Sequence, residues 1–266
     1  MSIDPIQPVL KVESLRVCYR RRNGLRFWAP QTICAVDGVS FTLDRGKILG
    51  IVGESGSGKS SLIKAIGHFI PVSSGKVLID GDEVTHLRGR QYDPYCRRLQ
   101  IIPQDFSDTL DPKMSVEEIL AEPLSLFFKL TSKEQKRRIC ELLNAVELDE
   151  TLLNRYPSQL SGGQRQRISI ARGLAVDPEV LICDEIVSAC DLFAQKQILN
   201  LLSDLSQKRN LSVLFIAHNI AVVAHLCHEI IVMRHGRFLE FGTKKEICCQ
   251  PEHPYTHLLI DSVPRI

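Results

Sequence analysis

Gly53-Glu54-Ser55-Gly56-Ser57-Gly58-Lys59-Ser60 is the stretch on which the reading of this chain turns. It fits the pattern Gly-x-x-x-x-Gly-Lys-[Ser/Thr], a glycine-rich turn that cradles nucleotide phosphates. Three glycines let backbone N–H groups face inward with no side chain blocking close approach. Lys59 brings a point charge to the outer phosphates, the Ser60 hydroxyl suits Mg²⁺, and Ser61 follows as a further hydroxyl. Ile48, Leu49, Ile51 and Val52 precede the octet as an apolar strand. Leu62, Ile63, Ile66 and Phe69 follow at helical spacing, which would set the phosphates on a helix N-terminus. The expected ligand is a nucleoside triphosphate.

At 266 residues, 44% of them hydrophobic, one α/β domain with an insertion or two small domains is expected. A formal net charge of +2 gives no reason to expect nucleic acid as a partner. The start, Met1 to Pro8, has neither a basic flank nor an apolar core, so no secretory signal is expected. No apolar run reaches membrane-span length; Val213 to Cys227 is interrupted by His218 and Asn219 and reads as strand, turn and helix. A soluble chain is expected. Its nine cysteines include no Cys-x-x-Cys pair, and reduced, cytosolic thiols are the expectation. Two His/Cys groupings, His225/Cys227/His228 and Cys248/Cys249/His253/His257, lack the ligand spacing of structural zinc and read as ordinary side chains.

Strands and amphipathic helices alternate along much of the chain. Leu10, Val12, Leu15 and Val17, then Val39, Phe41 and Leu43, suggest strands, with Arg20 to Gly24 as a solvated hairpin tip. From about Lys113 to Arg155 the pattern is helical, and strands return at Val180–Cys183, Val213–Ile216 and Ile230–Met233. That order predicts a mainly parallel sheet covered on both faces. A second motif, Leu160-Ser161-Gly162-Gly163-Gln164-Arg165-Gln166-Arg167, opens a helix carrying Ile168, Ala171, Leu174 and Ala175. Free N–H donors, a hydroxyl and the positive end of a helix dipole make another anion site there. Ser161 could equally serve as a simple helix cap. One nucleotide does not need two cradles from one chain, so two copies or two related chains are expected to sandwich it.

These eight residues resemble the signature sequence of ATP-binding cassette (ABC) ATPases, and the other motifs of that family follow in order. Gln104, within Ile101-Ile102-Pro103-Gln104-Asp105, resembles the Q-loop. Val180-Leu181-Ile182-Cys183-Asp184-Glu185 resembles the Walker B strand with its catalytic glutamate, Ser188-Ala189-Cys190-Asp191 the D-loop, and His218 the switch histidine. Tyr19 stands where the family places an aromatic on adenine, although Phe27 and Trp28 are also available. The resemblance implies a P-loop NTPase fold of class α/β, with a mainly parallel sheet core, an antiparallel β subdomain and an inserted α-helical subdomain. Its spans would be approximately 1–103 and 166–247 for the core with its β subdomain, 104–165 for the helical part, and 248–266 for a tail. It implies ATP as substrate and Mg²⁺ held by Ser60, Gln104 and Asp184, partly through water. Tyr19, residues 53–61, Ser161, Gly162, Gly163, Gln164 and Asp191 would bind nucleotide, and Glu185, His218 and Gln104 would serve catalysis.

The chemistry suits those positions. Asp184 and Glu185 close an apolar run, at the strand end where ligands bind in open α/β sheets. Asp184 would hold Mg²⁺ through its water shell, leaving Glu185 to polarise an attacking water. His218 would contact the γ-phosphate, and Gln104 would ligate the metal or the water and report nucleotide state to the helical insertion. The sequence departs from the family at Ile186-Val187, where proline and threonine are usual, and at Cys190, where leucine is usual. Those departures bear on communication between subunits, while Glu185 and Asp191 remain.

In the tail, His253-Pro254-Tyr255-Thr256, Leu258-Leu259 and Val263-Pro264 resemble the C-terminal segment of oligopeptide and dipeptide importer ATPases. Asp108 to Met114 and Phe27-Trp28 resemble that group too, and the chain is similar to its F-type subunit. This implies a non-identical D-type ATPase partner, or a homodimer, on two transmembrane permease subunits at the cytoplasmic face of the inner membrane. A substrate-binding protein would act indirectly, with a coupling surface near Phe106 and Met114. Nickel or antimicrobial-peptide transport, a non-transport soluble ABC ATPase, and an ATP-sensing regulatory module are the alternatives. No iron–sulfur cluster is expected.

Overall fold

The structure, a computed structural model, describes residues 7–21, 31–188 and 191–262. Two sheets organise it. β1 (Leu10–Arg21), β2 (Gln31–Leu43), β4 (Ser74–Ile79) and β5 (Asp82–Glu83) form an antiparallel sheet in the order β2-β1-β4-β5. Along β1 the buried residues are Leu10 and Val12, then Leu15 and Val17. That phase change needs an extra residue in the strand, and Ser14, with φ 45°, sits at a register shift between Val12 and Leu15.

The second sheet has the order β10-β9-β3-β8-β7-β6. It comprises β3 (Ile48–Val52), β6 (Leu99–Ile102), β7 (Val180–Asp184), β8 (Ser212–Ala217), β9 (Glu229–Arg234) and β10 (Arg237–Thr243). Its pairings are parallel except that of β9 with the edge strand β10. Every residue of β3, β7 and β8 is buried, which is why these strands read as unbroken apolar runs.

Strand parity sorts the two cores. Leu49, Ile51, Val180, Ile182, Leu214 and Ile216 face α1 (Lys59–Ile66) and the antiparallel sheet beyond it. Gly67 caps α1 and His68, at φ 62°, turns the chain away, so Phe69 is not the fourth residue of a buried stripe but 70% exposed. Ile48, Val52, Leu181, Cys183, Val213 and Phe215 face the opposite core. After α2 (Asp93–Arg98), the helical stretch resolves into α3 (Val116–Phe127) and α4 (Ser132–Ala145), then 3₁₀ turns at Glu150–Leu152 and Pro157–Gln159. These share that core with α5 (Gly162–Leu174), α6 (Leu192–Arg209) and α7 (Ile220–Leu226). Gly50 lets α7 lie against β3, since a Cβ there would stand 2.1 Å from Val223. α8 (Lys244–Cys249) and α9 (Pro254–Asp261) close the described chain.

The expectation for the cysteines is corrected as well. The β1–β2 register sets Cys18 directly opposite Cys34, and their sulfurs are bonded, so these two cysteines are not free thiols. Spacing within the sequence carries no trace of this, because the pairing is made by strand register. Arg22 to Gly24 of the proposed hairpin tip, Phe27, Trp28, Cys190 and Val263-Pro264 lie outside the described residues. Among the described residues no helix is long and apolar enough to cross a membrane.

Candidate active site

The octet occupies the turn between β3 and α1. Gly56 and Gly58 take φ of 80° and 110°, conformations that side chains disfavour. A Cβ on Gly58 would stand 2.2 Å from the Ala35 carbonyl oxygen, and one on Gly53 2.1 Å from that of Met233. The loop is thus wedged against both neighbouring segments. No side chain caps α1, so its first N–H groups face the turn. Lys59 is 4% exposed, and its Nζ donates to the carbonyls of Gly53 at 2.7 Å and Glu54 at 3.0 Å. Burial lowers its pKa, against the opposing pull of Glu185 and Asp184.

Alternation along β7 puts Asp184 on the same face as Val180 and Ile182, toward α1. Burial, then the charge of Glu185, pushes its carboxyl up to about 6, partly countered by Lys59, Lys64 and a hydrogen bond with Ser60. Its Oδ1 is buried without a hydrogen-bond partner. A buried carboxylate with an orphaned oxygen beside a hydroxyl is a donor set that fits a hard divalent cation such as Mg²⁺.

Glu185 turns the chain at the end of β7. It adopts the left-handed region at φ 49°, and its N–H donates to the Ile216 carbonyl at 3.0 Å. Its Oε1 lies 3.7 Å from Lys59 Nζ and its Oε2 3.7 Å from His218 Nδ1. One cleft is lined by Ala35, Ser55, Gly56, Gly58, Lys59, Ser60, Ser61, Gln104 and Glu185. A larger depression lies beside Arg45 and Arg138, but those guanidiniums are already paired with Asp80, Glu179 and Asp177. Tyr19 is 47% exposed on β1, opposite Ile33, and does not line the cleft.

The second cradle stands apart. None of Ser161, Gly162, Gly163 and Gln164 lines the cleft, and a Cβ on either glycine would meet open space. Ser161 caps α5: its Oγ accepts the Gln164 N–H at 3.2 Å, while its own N–H donates to Gln164 Oε1 at 2.9 Å. In the capping boxes of Ser115, Thr131 and Thr243 a glutamate also accepts the hydroxyl proton. At Ser161 that proton has no acceptor among the described residues. Asp191 caps α6 through the N–H groups of Phe193 and Ala194, and leaves Leu192 75% and Phe193 73% exposed. Between these helix starts, Ile186 and Val187 are buried, and Gln166 Nε2 donates to the Ile186 carbonyl at 2.6 Å.

Two contributors escaped the sequence reading. Ala35 presses on the octet from β2, and Tyr255, noted only as part of the tail, reaches it from α9: the Glu54 N–H donates to the Tyr255 hydroxyl at 3.0 Å. No local pattern marks either contact, because both depend on how distant segments pack.

Comparison with known proteins gives the family. Residues 36–188 match the family model described as ABC transporter, and residues 239–266 that described as oligopeptide/dipeptide transporter, C-terminal region. A probable peptide ABC transporter ATP-binding protein of Sinorhizobium fredii is 40% identical over 96% of this chain and 72% of its own length. The oligopeptide transport ATP-binding protein OppF of Lactococcus lactis is 39% identical over 97% of this chain and 81% of its own. Among solved structures, cbiO1 of Clostridium perfringens, part of an ABC transporter complex, superposes with a TM-score of 0.79 at 26% identity, covering 92% of each chain. A dimeric ATP-binding cassette in a post-hydrolysis state, bound to ADP and Pi, gives 0.78 at 28% identity over 88% of this chain and 98% of its own.

Proposed function

This chain belongs to the ABC transporter family and is an ATPase subunit, and we propose that it works at the cytoplasmic face of the inner membrane, driving peptide import through two permease subunits. The observation that carries the reading is one of geometry. Lys59, Ser60, Gln104 and Glu185 converge on a single cleft, whereas the open helix start at Ser161 lies outside it. One chain therefore holds two unlike halves of a nucleotide site. A second cassette, either a non-identical D-type subunit or another copy, would bring its Ser161-type helix start over the triphosphate.

Each residue has work to do in that arrangement. Lys59 donates to the Gly53 and Glu54 carbonyls. Phosphate oxygens are better acceptors, because their negative charge adds direct attraction to the ammonium that a neutral carbonyl does not offer. N–H groups at the start of α1, which no side chain caps, would complete the cradle, and Tyr19 offers its exposed ring to adenine. Mg²⁺, held by Asp184 and Ser60 with Gln104 at the edge, would neutralise charge on the phosphates. Glu185 accepts a proton from the attacking water, and His218, 3.7 Å from its Oε2, orients that carboxylate toward the γ-phosphate. Asp191 holds the start of α6, where exposed Leu192 and Phe193 offer a surface for the partner cassette.

Turnover in the assembled complex tests this. Glu185→Gln keeps the shape but cannot take a proton, so ATP hydrolysis should fall about 10²- to 10⁴-fold with nucleotide still bound. Equal, slow hydrolysis by wild type and variant would refute the role given to Glu185. Co-purification of permease subunits and a second ATPase from membranes tests the partners.

A further inference from the structure

We propose that Tyr255, in the C-terminal tail, is a positioning residue for ATP binding: its hydroxyl fixes the first peptide of the phosphate loop, so affinity for nucleotide depends on that one hydrogen bond. The inference rests on the reading that residues 53–60 cradle the phosphates.

The Gly53–Glu54 peptide is held at both ends. Its carbonyl oxygen accepts from Lys59 Nζ at 2.7 Å, and its N–H donates to the Tyr255 hydroxyl at 3.0 Å. The two partners hold opposite edges of one rigid peptide plane, so the hydroxyl helps set where the lysine anchor points. Tyr255 is 2% exposed, and the Arg234 guanidinium stacks over its ring, 4.4 Å from the centroid. Arg234 directly follows Met233, whose carbonyl presses on Gly53. The ring, the end of β9 and the start of the loop thus form one packed unit.

The tail has its own anchor, separate from this contact. Glu240 on β10 accepts the N–H groups of Glu252 at 2.8 Å and His253 at 3.2 Å, and the Thr256 hydroxyl. His253 in turn caps α9, its Nδ1 accepting the Tyr255 N–H at 3.0 Å. Two functions are therefore separable: Glu240 and Thr256 keep the tail on the sheet, while the Tyr255 hydroxyl hydrogen-bonds the loop. Removing that hydroxyl leaves the Glu54 N–H unpaired in the docked geometry, and the exposed loop start can relax to find water. The expected consequence is a misplaced lysine anchor rather than an unfolded protein.

The test uses the full chain in its assembled transporter, with MgATP as ligand. Tyr255→Phe keeps the ring and its contact with Arg234; it should raise the KM for ATP about fivefold, with kcat within about twofold of wild type. Thr256→Val weakens the tail anchor but keeps the hydroxyl, and its KM should stay within about twofold. Lys59→Ala serves as the reference for a damaged cradle and should raise KM strongly. An unchanged KM in Tyr255→Phe beside a raised KM in Lys59→Ala overturns the proposal and spares the phosphate-loop reading. An unchanged KM in both variants overturns both. A rise of equal size in Tyr255→Phe and Thr256→Val, each tracking a loss of melting temperature, also overturns it, because that is general loosening of the tail. A fall in kcat at constant KM overturns it as well.

Discussion

Asp184 carries a pH dependence that tests the proposed cation seat. Burial, first of all, pushes its carboxyl up to about 6, against 3.8 for an unperturbed aspartate. Between those values the folded chain keeps a proton that the unfolded chain has released. Stability must then fall as pH rises through the window, because the unfolded state binds fewer protons. A displacement of about two pKa units corresponds to about 3 kcal/mol, fully developed above about pH 6 and absent below about pH 4. Asp184→Asn keeps the shape and removes the titration. Urea unfolding in EDTA, from about pH 4.5 to about pH 7.5, should show the variant gaining up to about 3 kcal/mol over wild type as pH rises. Adding Mg²⁺ above about pH 6 should then raise the stability of wild type but not of the variant, since the cation supplies the missing partner of the orphaned Oδ1. A difference between the two proteins that stays flat with pH, or an equal response to Mg²⁺, would refute both the burial argument and the assignment of the seat.

Gly58→Ala should abolish ATP binding, measured by calorimetry, because the new methyl must displace the Ala35 carbonyl 2.2 Å away at a backbone φ of 110°. Unimpaired binding would show that the loop is not wedged as described. Ser161→Ala should cost about 1 kcal/mol of stability through the lost helix cap. It should also weaken ATP-driven dimerisation on gel filtration while leaving ATP binding to the single chain unchanged; a weakened single-chain affinity would place Ser161 in the wrong half of the site.

What the sequence discloses here is local, and what it conceals is set by packing. The octet and the Ser161 helix start are legible because each works through its own backbone, and the buried strands β3, β7 and β8 announce themselves as apolar runs. The parallel sheet and the helical insertion follow from the alternation between them. By contrast, the edge strand β10 has no fully buried stripe to betray it, and the phase change at Ser14 is invisible until β1 meets its partners. The Cys18–Cys34 bond needs the strand register, and the Tyr255–Glu54 contact joins residues 201 positions apart. The candidate site is divided in the same way: its loop residues are readable in order, but their convergence with Gln104, Glu185 and His218 depends on the order of strands in the sheet.

The cap at Ser161 has a consequence for the working cycle. Because a neutral glutamine closes that box where a glutamate closes the others, the cap itself adds no negative charge at the helix start, and the serine keeps a proton to give away. If a partner cassette's triphosphate docks there, as proposed, the helix start is already shaped to receive it. Contact energy can then go into joining two chains rather than into folding a loop, and letting go after hydrolysis requires no local melting. Such a surface can be engaged, vacated and engaged again without changing its own shape.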